Sequence, residues 1–430
     1  MACSVRDRQD WAATQLREWY LFPETLPATF DPSPYTTVEA YIDALTATAR
    51  SQRRDRYFTY VTSIADEDAY YASGSSAGFG FRISQDSAGR LFVSETFEGT
   101  SALAANVDRG AEITAIGTTS ADLRTVAAIY AVEGSAGITN ALGPSTAGTT
   151  RVLRVVDASG TRTVTLSKTD YALTPVSSRY GAKIIDDGGR RVGYINLRTF
   201  ISTADPALRT AFANFRAQGI TEFVVDFRYN GGGLVSIANL MGNLLGRNRS
   251  TSDVYSYTTF RASKSSNNEV TYFSPQSQSV APVKIAFIGT GGTASASELV
   301  INSFIPYLHA NVALIGTNTY GKPVGQIAID RSQCDDRLRV IAFALENSAH
   351  QGTYFDGLAN TVEANCRATD DVTRPLGDPL EASTRTALDY LAGRSCTAIA
   401  GQTARSNTRP LELLMPERPT TAQRETPGLF

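Results

Sequence analysis

Two residues of this chain, Ser295 and Lys322, could together perform acyl-transfer chemistry. Ser295 lies in Gly291-Gly292-Thr293-Ala294-Ser295-Ala296-Ser297-Glu298, a small-residue turn between a predicted strand and a predicted helix. A hydroxyl there is displayed with little steric cover. Lys322 is one of only five lysines, with Lys168, Lys183, Lys264 and Lys284, and it stands in Tyr320-Gly321-Lys322-Pro323-Val324-Gly325-Gln326. A serine needs a base to be nucleophilic near neutral pH, and two histidines, His309 and His350, are too few for a convincing Ser-His-Asp set. Lysine is the available substitute, provided that burial lowers its pKa. Tyr320, Pro323 and Val324 could supply that burial, and Gln326 could orient the ammonium or the hydroxyl.

Each feature has a plainer explanation. Ser295-Ala296-Ser297-Glu298 fits a capping box, in which serine and glutamate satisfy the free N–H groups of a starting helix. Lys322 alone could be a snorkelling surface lysine. The turn Asn230-Gly231-Gly232-Gly233 follows a predicted strand and is an anion nest, an oxyanion hole or a simple strand-to-helix turn. Neither Ser-x-x-Lys nor Gly-x-Ser-x-Gly surrounds Ser295.

The elements that must position these groups alternate regularly beyond Gly181. Strands are predicted at 192–197, 223–227, 283–288 and 312–315, with helices at 207–217, 234–245 and 296–308 between them. This is the pattern of a layered α/β domain with mostly parallel strands, whose sites gather at the carboxyl ends of the strands. A strand at 338–345 and a helix at 380–391 follow. Before them, Gly78-Phe79-Gly80-Phe81-Arg82-Ile83 opens a series of short β-type runs at 91–93, 113–116, 151–156 and 162–166, with a short helix at 101–105. The first seventy residues carry helical periodicity in Trp11, Leu16, Trp19 and Tyr20 and again at 38–49, broken by Pro23, Pro27, Pro32 and Pro34; their aromatics suggest a docking face. The expected fold is thus α/β and multidomain, with boundaries at 1–74, 75–172, 173–400 and 401–430. The last stretch is polar and without a period, which predicts a path over the surface.

With 40 basic and 42 acidic residues, the formal charge of −2 offers no basic surface for nucleic acid. No run approaches a membrane helix, and no apolar signal segment opens the chain. Cys3, Cys334, Cys366 and Cys396 lack zinc-type spacing but permit two disulfides, with Cys334 to Cys366 the favoured pair and four thiols the alternative. Histidine scarcity argues against a metal site, and His309 fits a helix C-terminus.

Thr293-Ala294-Ser295-Ala296-Ser297-Glu298, followed by Gly316, Gly321-Lys322 and Gln326, resembles the carboxy-terminal processing (tail-specific) serine peptidases. Asp226-Phe227-Arg228-Tyr229-Asn230-Gly231-Gly232-Gly233 resembles that family's Asp-Leu-Arg-x-Asn-x-Gly-Gly turn. The resemblance implies Ser295 as nucleophile, Lys322 as general base supported by Gln326, and an oxyanion hole from the Gly232 and Ala296 N–H groups. It also implies a crotonase/ClpP-like α/β peptidase core, a helical N-terminal segment and a mainly β PDZ-like domain. In that domain Gly78, Phe79, Gly80 and Phe81 would bind peptide chain ends, and Pro427-Gly428-Leu429-Phe430 is one candidate occupant of the groove. The implied partners are protein or peptide substrates, with no cofactor and no metal; the implied setting is an exported, periplasmic or cell-envelope bacterial protein, associated with the membrane only through a signal or anchor outside this sequence. Two departures stand out: the Ser295 to Lys322 interval is slightly long, with the surplus at 305–311, and Pro323 stands where many members have glycine. The alternative is a catalytically inactive PDZ-type peptide-binding or scaffold protein.

Overall fold

The computed structural model describes residues 3–399 and 411–430. Its centre is a six-stranded sheet in the order Ala182–Asp187, Arg190–Asn196, Glu222–Asp226, Lys284–Gly289, Val312–Gly316 and Ala364–Arg367. The first pair is antiparallel and the other four pairings are parallel. Alternation along each strand separates two cores. Phe223, Val225, Ile285, Phe287, Val312 and Leu314 face the helices Ala204–Ala217, Val235–Leu244 and Ala296–Leu308. Val224, Ala286, Ile288, Ala313 and Ile315 point the other way, onto Ala387, Leu388 and Leu391 of the helix Ala382–Leu391. The α/β alternation read from the sequence is this layer.

A second sheet joins Tyr60–Ser63, Asp336–Glu346, Val254–Phe260 and Glu269–Tyr272, with Val324–Arg331 also paired to Asp336–Glu346. It carries the N-terminal helices Val5–Trp19 and Val38–Leu45, whose Leu16, Tyr20, Tyr41 and Ile42 pack with Val324, Leu338 and Ile341. Trp11 and Trp19 are half-buried against the same cluster, so the aromatic face is used internally. Tyr60–Ser63 makes the first seventy residues more than helical.

The region after Ser76 forms a third, seven-stranded sheet in the order Phe81–Gln85, Leu91–Thr96, Glu112–Gly117, Thr150–Asp157 and Gly160–Ser167, with Arg124–Thr125 also paired to Glu112–Gly117 and Glu412–Leu413 added outside Phe81–Gln85. The helix Val126–Leu142 covers it with Val126, Ile129, Ile138 and Leu142. Its Ala- and Gly-rich sequence has no polar face, which hid it from periodicity.

Two expectations fail. The predicted surface path holds only for part of residues 411–430, where Met415, Glu417, Arg418 and Thr420 are exposed; elsewhere Glu412–Leu413 pairs with Phe81–Gln85, Thr421–Glu425 is a short helix, and Leu414, Leu429 and Phe430 are buried. The apolar residues there are too widely spaced for a period, yet Leu414, Ala422, Leu429 and Phe430 are buried, while Met415 stays exposed. Residues 401–410 of the predicted tail lie outside the described residues. The disulfides are Cys3–Cys334 and Cys366–Cys396, not Cys334–Cys366. Cys334 ends the turn between Val324–Arg331 and Asp336–Glu346, which reaches the start of the first helix, whereas Cys366 sits on the edge strand of the central sheet. Peptide mapping without reductant should recover those two pairs. Replacing Cys366 and Cys396 by serine should cost roughly 3 kcal/mol in chemical denaturation, as expected for a loop of this size.

Candidate active site

Three loops leave the carboxyl ends of three adjacent parallel strands, after Asp226, Gly289 and Gly316. They carry Gly231 to Gly233, Ser295 and Lys322 respectively. Hydrogen bonds sew them into one unit. The Asn230 carbonyl accepts from the Ala294 N–H at 3.0 Å and from the Ser297 hydroxyl at 3.0 Å. Thr293 donates its hydroxyl to the Phe227 carbonyl at 2.8 Å, and its own carbonyl accepts from the Tyr320 N–H at 2.9 Å.

The closest link is Glu298. Its carboxylate accepts from the Ser295 N–H at 3.0 Å, the Gly321 N–H at 2.7 Å and the Lys322 N–H at 2.8 Å. The Ser295 and Lys322 bonds end on the same oxygen, Oε2. Burial raises the Glu298 carboxyl above its ordinary value, and bonds from Thr319 and these three N–H groups draw it back. The glutamate read as half of a capping box therefore also holds the lysine loop. Its reach to Gly321 and Lys322 gave no sequence signal.

Ser295 is half-buried and adopts φ 56° and ψ −113° at the start of the helix Ala296–Leu308. A non-glycine residue there stores roughly 1–3 kcal/mol of strain, held by the surrounding bonds. Gly232 lies against it: with φ +122°, a Cβ added at Gly232 would stand 2.8 Å from the Ser295 Cβ and 3.3 Å from the Ala296 nitrogen. Only glycine lets the two loops approach this closely. The Gly232 N–H donates to the Asn230 side-chain oxygen at 3.0 Å, so one of the two expected oxyanion donors is engaged.

Lys322 is half-buried as a residue, with its amine 5.1 Å from the centre of the Phe58 ring. Burial pushes the amine below the usual lysine value, while Glu425 opposes that shift and Arg424 adds to it. No carboxylate forms an ion pair with it among the described residues. Its loop is pinned by Arg56, whose Nη2 donates to the carbonyls of Tyr320 and Gly321, both at 2.7 Å, and of Phe355 at 3.0 Å. Gln326 does not bond the amine. Its side-chain amide donates to the Phe58 carbonyl, so it fixes the ring that lies against Lys322.

Beneath the glycine turn lies a buried ion network. Arg228 bonds both Asp226 oxygens at 3.0 Å, Asp370 at 3.1 Å and both Glu381 oxygens at 3.0 and 2.9 Å. Despite burial, the positive charge of Arg228 brings the Glu381 carboxyl down to about 2. Tyr229, with φ 65°, donates its hydroxyl to Asp370 and accepts from Arg109 at 2.8 Å. Asp370 and Glu381 come from the far end of the chain, which is why the sequence did not reveal them.

Gly78, Phe79, Gly80 and Phe81 lie elsewhere, at the edge of the third sheet. The Phe79 and Gly80 N–H groups donate to the Phe430 main-chain oxygen at 3.0 and 3.1 Å. Arg82 connects that edge to the site: it donates to the Tyr229 carbonyl at 2.8 Å and the Pro427 carbonyl at 3.1 Å. No His, Cys, Asp or Glu cluster suited to a metal occurs among the described residues. Glu298→Gln should set an amide N–H against the buried backbone donors and cost on the order of 2 kcal/mol, read as a lower denaturation midpoint with unchanged far-UV dichroism.

Residues 191–363 match the model of Peptidase family S41. The chain is 25% identical over 338 residues to the carboxyl-terminal-processing peptidase 3 of Arabidopsis thaliana, covering 76% of this chain and 60% of the relative. It is 28% identical over 189 residues to the C-terminal processing peptidase of Tetradesmus obliquus, covering 40% of this chain and 37% of the relative. The chain thus spans between about a third and three fifths of the lengths of these relatives. In fold it is similar to a crystal structure of an S41 protease from Bacteroides fragilis, with a TM-score of 0.68 and 24% identity over 89% of this chain and 97% of the other. The stretch that matches peptidase family S41 is the α/β layer that carries Ser295 and Lys322.

Proposed function

We propose that this chain is a serine peptidase in which Ser295 is the nucleophile and Lys322 the general base. The observation that carries the reading is the shared Glu298 oxygen, which fixes the backbones of both residues relative to each other. The neutral Lys322 amine takes the Ser295 proton as Oγ attacks the substrate carbonyl, giving a tetrahedral oxyanion. The resulting ammonium returns that proton to the departing amine, and the same amine then activates water to release the acyl-enzyme. Ala296 and Gly232 N–H groups would hold the oxyanion, with Gly232 first leaving the Asn230 side chain. Gln326 acts through Phe58 as a positioning residue. No cofactor enters any step.

Residues 75–172 serve in this reading as a PDZ-like domain that captures a polypeptide end by adding it to the edge strand Phe81–Gln85. The N–H groups of Phe79 and Gly80 converge on one oxygen, the arrangement such capture needs. The N-terminal helices and the α/β layer from 173 complete the proposed domain division. The two disulfides favour an oxidising location, so we place the protein outside the cytoplasm, in the periplasm or cell envelope. No helix among the described residues is long and apolar enough to cross a membrane.

Ser295→Ala and Lys322→Ala should each lower hydrolysis of an unfolded protein substrate by about 10²-fold or more while leaving the fold intact. Because burial lowers the lysine pKa and the neutral amine is the active form, wild-type activity should climb from neutral to alkaline pH. Undiminished hydrolysis by Ser295→Ala, or a flat pH profile, would contradict the assignment.

A further inference from the structure

Residues 411–430 meet the third sheet and the candidate active site at once. Glu412 and Leu413 pair with Gln85 and Ser84, the Ile83 N–H donates to the Gly428 carbonyl at 2.8 Å, and the Phe430 N–H donates to the Phe81 carbonyl at 3.0 Å. The Phe430 side chain is buried with Phe79, Phe81 and Leu414, filling an apolar pocket of that sheet. The edge on which a captured chain would lie is already covered.

The same segment then enters the crevice. The Glu425 carbonyl accepts from the Gly231 N–H at 2.9 Å, beside the residue expected to bind the oxyanion. Its side chain is buried, accepts from the Tyr71 hydroxyl at 3.1 Å, and would stand 3.2 Å from a Cβ at Gly232. Tyr57, Gly231, Lys322, Met415 and Glu425 are among the residues lining one cavity of about 1080 Å³. Leu429 and Ala422 anchor the strap on Tyr70, Phe97 and Ile201, and Thr426 shares a hydrogen bond with the Tyr70 hydroxyl at 2.7 Å.

We propose that residues 411–430 are an intramolecular stopper, lodged in the peptide groove and the catalytic crevice together, and that an incoming apolar chain end activates the enzyme by displacing them. The proposal rests on the peptidase reading above. Glu425 and Lys322 line the same cavity; burial raises the Glu425 carboxyl while Lys322 opposes that shift, and a negative charge on Glu425 favours the ammonium, the form that cannot act as base. The covered Gly231 turn and the engaged Gly232 N–H belong to the same blocked arrangement. The occupant also names the ligand class that the groove takes: a segment carrying an aliphatic-aromatic pair, as in Leu429-Phe430.

Two full-chain variants test this. Leu429→Asp should expel the segment from its apolar seat, and Glu425→Gln should remove the carboxyl that shares a cavity with Lys322. Both should hydrolyse a fluorogenic peptide at least about tenfold faster than wild type, as expected when a blocked, minor-state site becomes the major state. A fluorescent synthetic peptide of residues 411–430 should bind Leu429→Asp at least about tenfold more tightly than wild type, since its site is then vacant. Unlabelled, it should suppress that variant's activity. Equal peptide binding by the variant and wild type would overturn the stopper. Tighter binding with unchanged Ser295-dependent rates would overturn its regulatory role. If none of the chains shows Ser295-dependent hydrolysis, the peptidase reading itself falls and the regulatory claim falls with it, whereas the binding result still decides the occupancy.

Discussion

The candidate site depends on one buried carboxylate. Glu298 receives three backbone N–H groups from two loops and so fixes the Ser295 and Lys322 backbones against each other. A carboxylate buried without partners would be costly, so the loops must close on it for the fold to tolerate it. The strained backbone at Ser295 follows from the same constraint. The helix Ala296–Leu308 supplies Glu298 at its third position, and the turn before it must bend sharply to bring the Ser295 N–H onto that side chain. Gly321, with φ +92° and the Phe355 carbonyl where a Cβ would lie, permits the lysine loop to come in from the other side.

Two arginine networks extend this local order to the rest of the molecule. Arg228 ties the glycine turn to Asp370 and Glu381, near the end of the α/β layer. Arg82 and Arg198 share Glu95 across the junction with the third sheet, at 2.8 and 2.6 Å. Against its burial, those two guanidinium groups pull the Glu95 carboxyl down to about 2. Because Arg82 also grips the Tyr229 and Pro427 carbonyls, what lies on the sheet edge is physically continuous with the glycine turn. Breaking one such pair would leave a buried charge alone, so the networks act as rigid joints more than as sources of stability.

Much of this was legible in the sequence because local chemistry encodes it. The period-2 strands and the helices between them announced the α/β layer, and small residues around Ser295 and Gly232 marked the turns that the strand ends display. The pairing of cysteines was not legible, since it depends on which loop tips meet in space. Glu298 could be seen only as a helix cap, because its bonds to Gly321 and Lys322 cross a long stretch of chain. Gln326 was assigned to the lysine itself, whereas its amide reaches Phe58 and acts one contact further away. The largest gap was residues 411–430: an aperiodic sequence with Pro416, Pro419 and Pro427 carries only the short Thr420 to Gln423 capping box as a local signature, and the rest of its order comes from the surfaces it covers.

The scarcity of lysine makes the central claim directly measurable. With five lysines in the chain, selective labelling of their side chains gives five amine signals to follow by NMR, and Lys322→Met assigns one of them. The Lys322 amine should titrate below the ordinary lysine value and move further down in Glu425→Gln. A Lys322 signal that titrates at the ordinary value in both chains would contradict that claim.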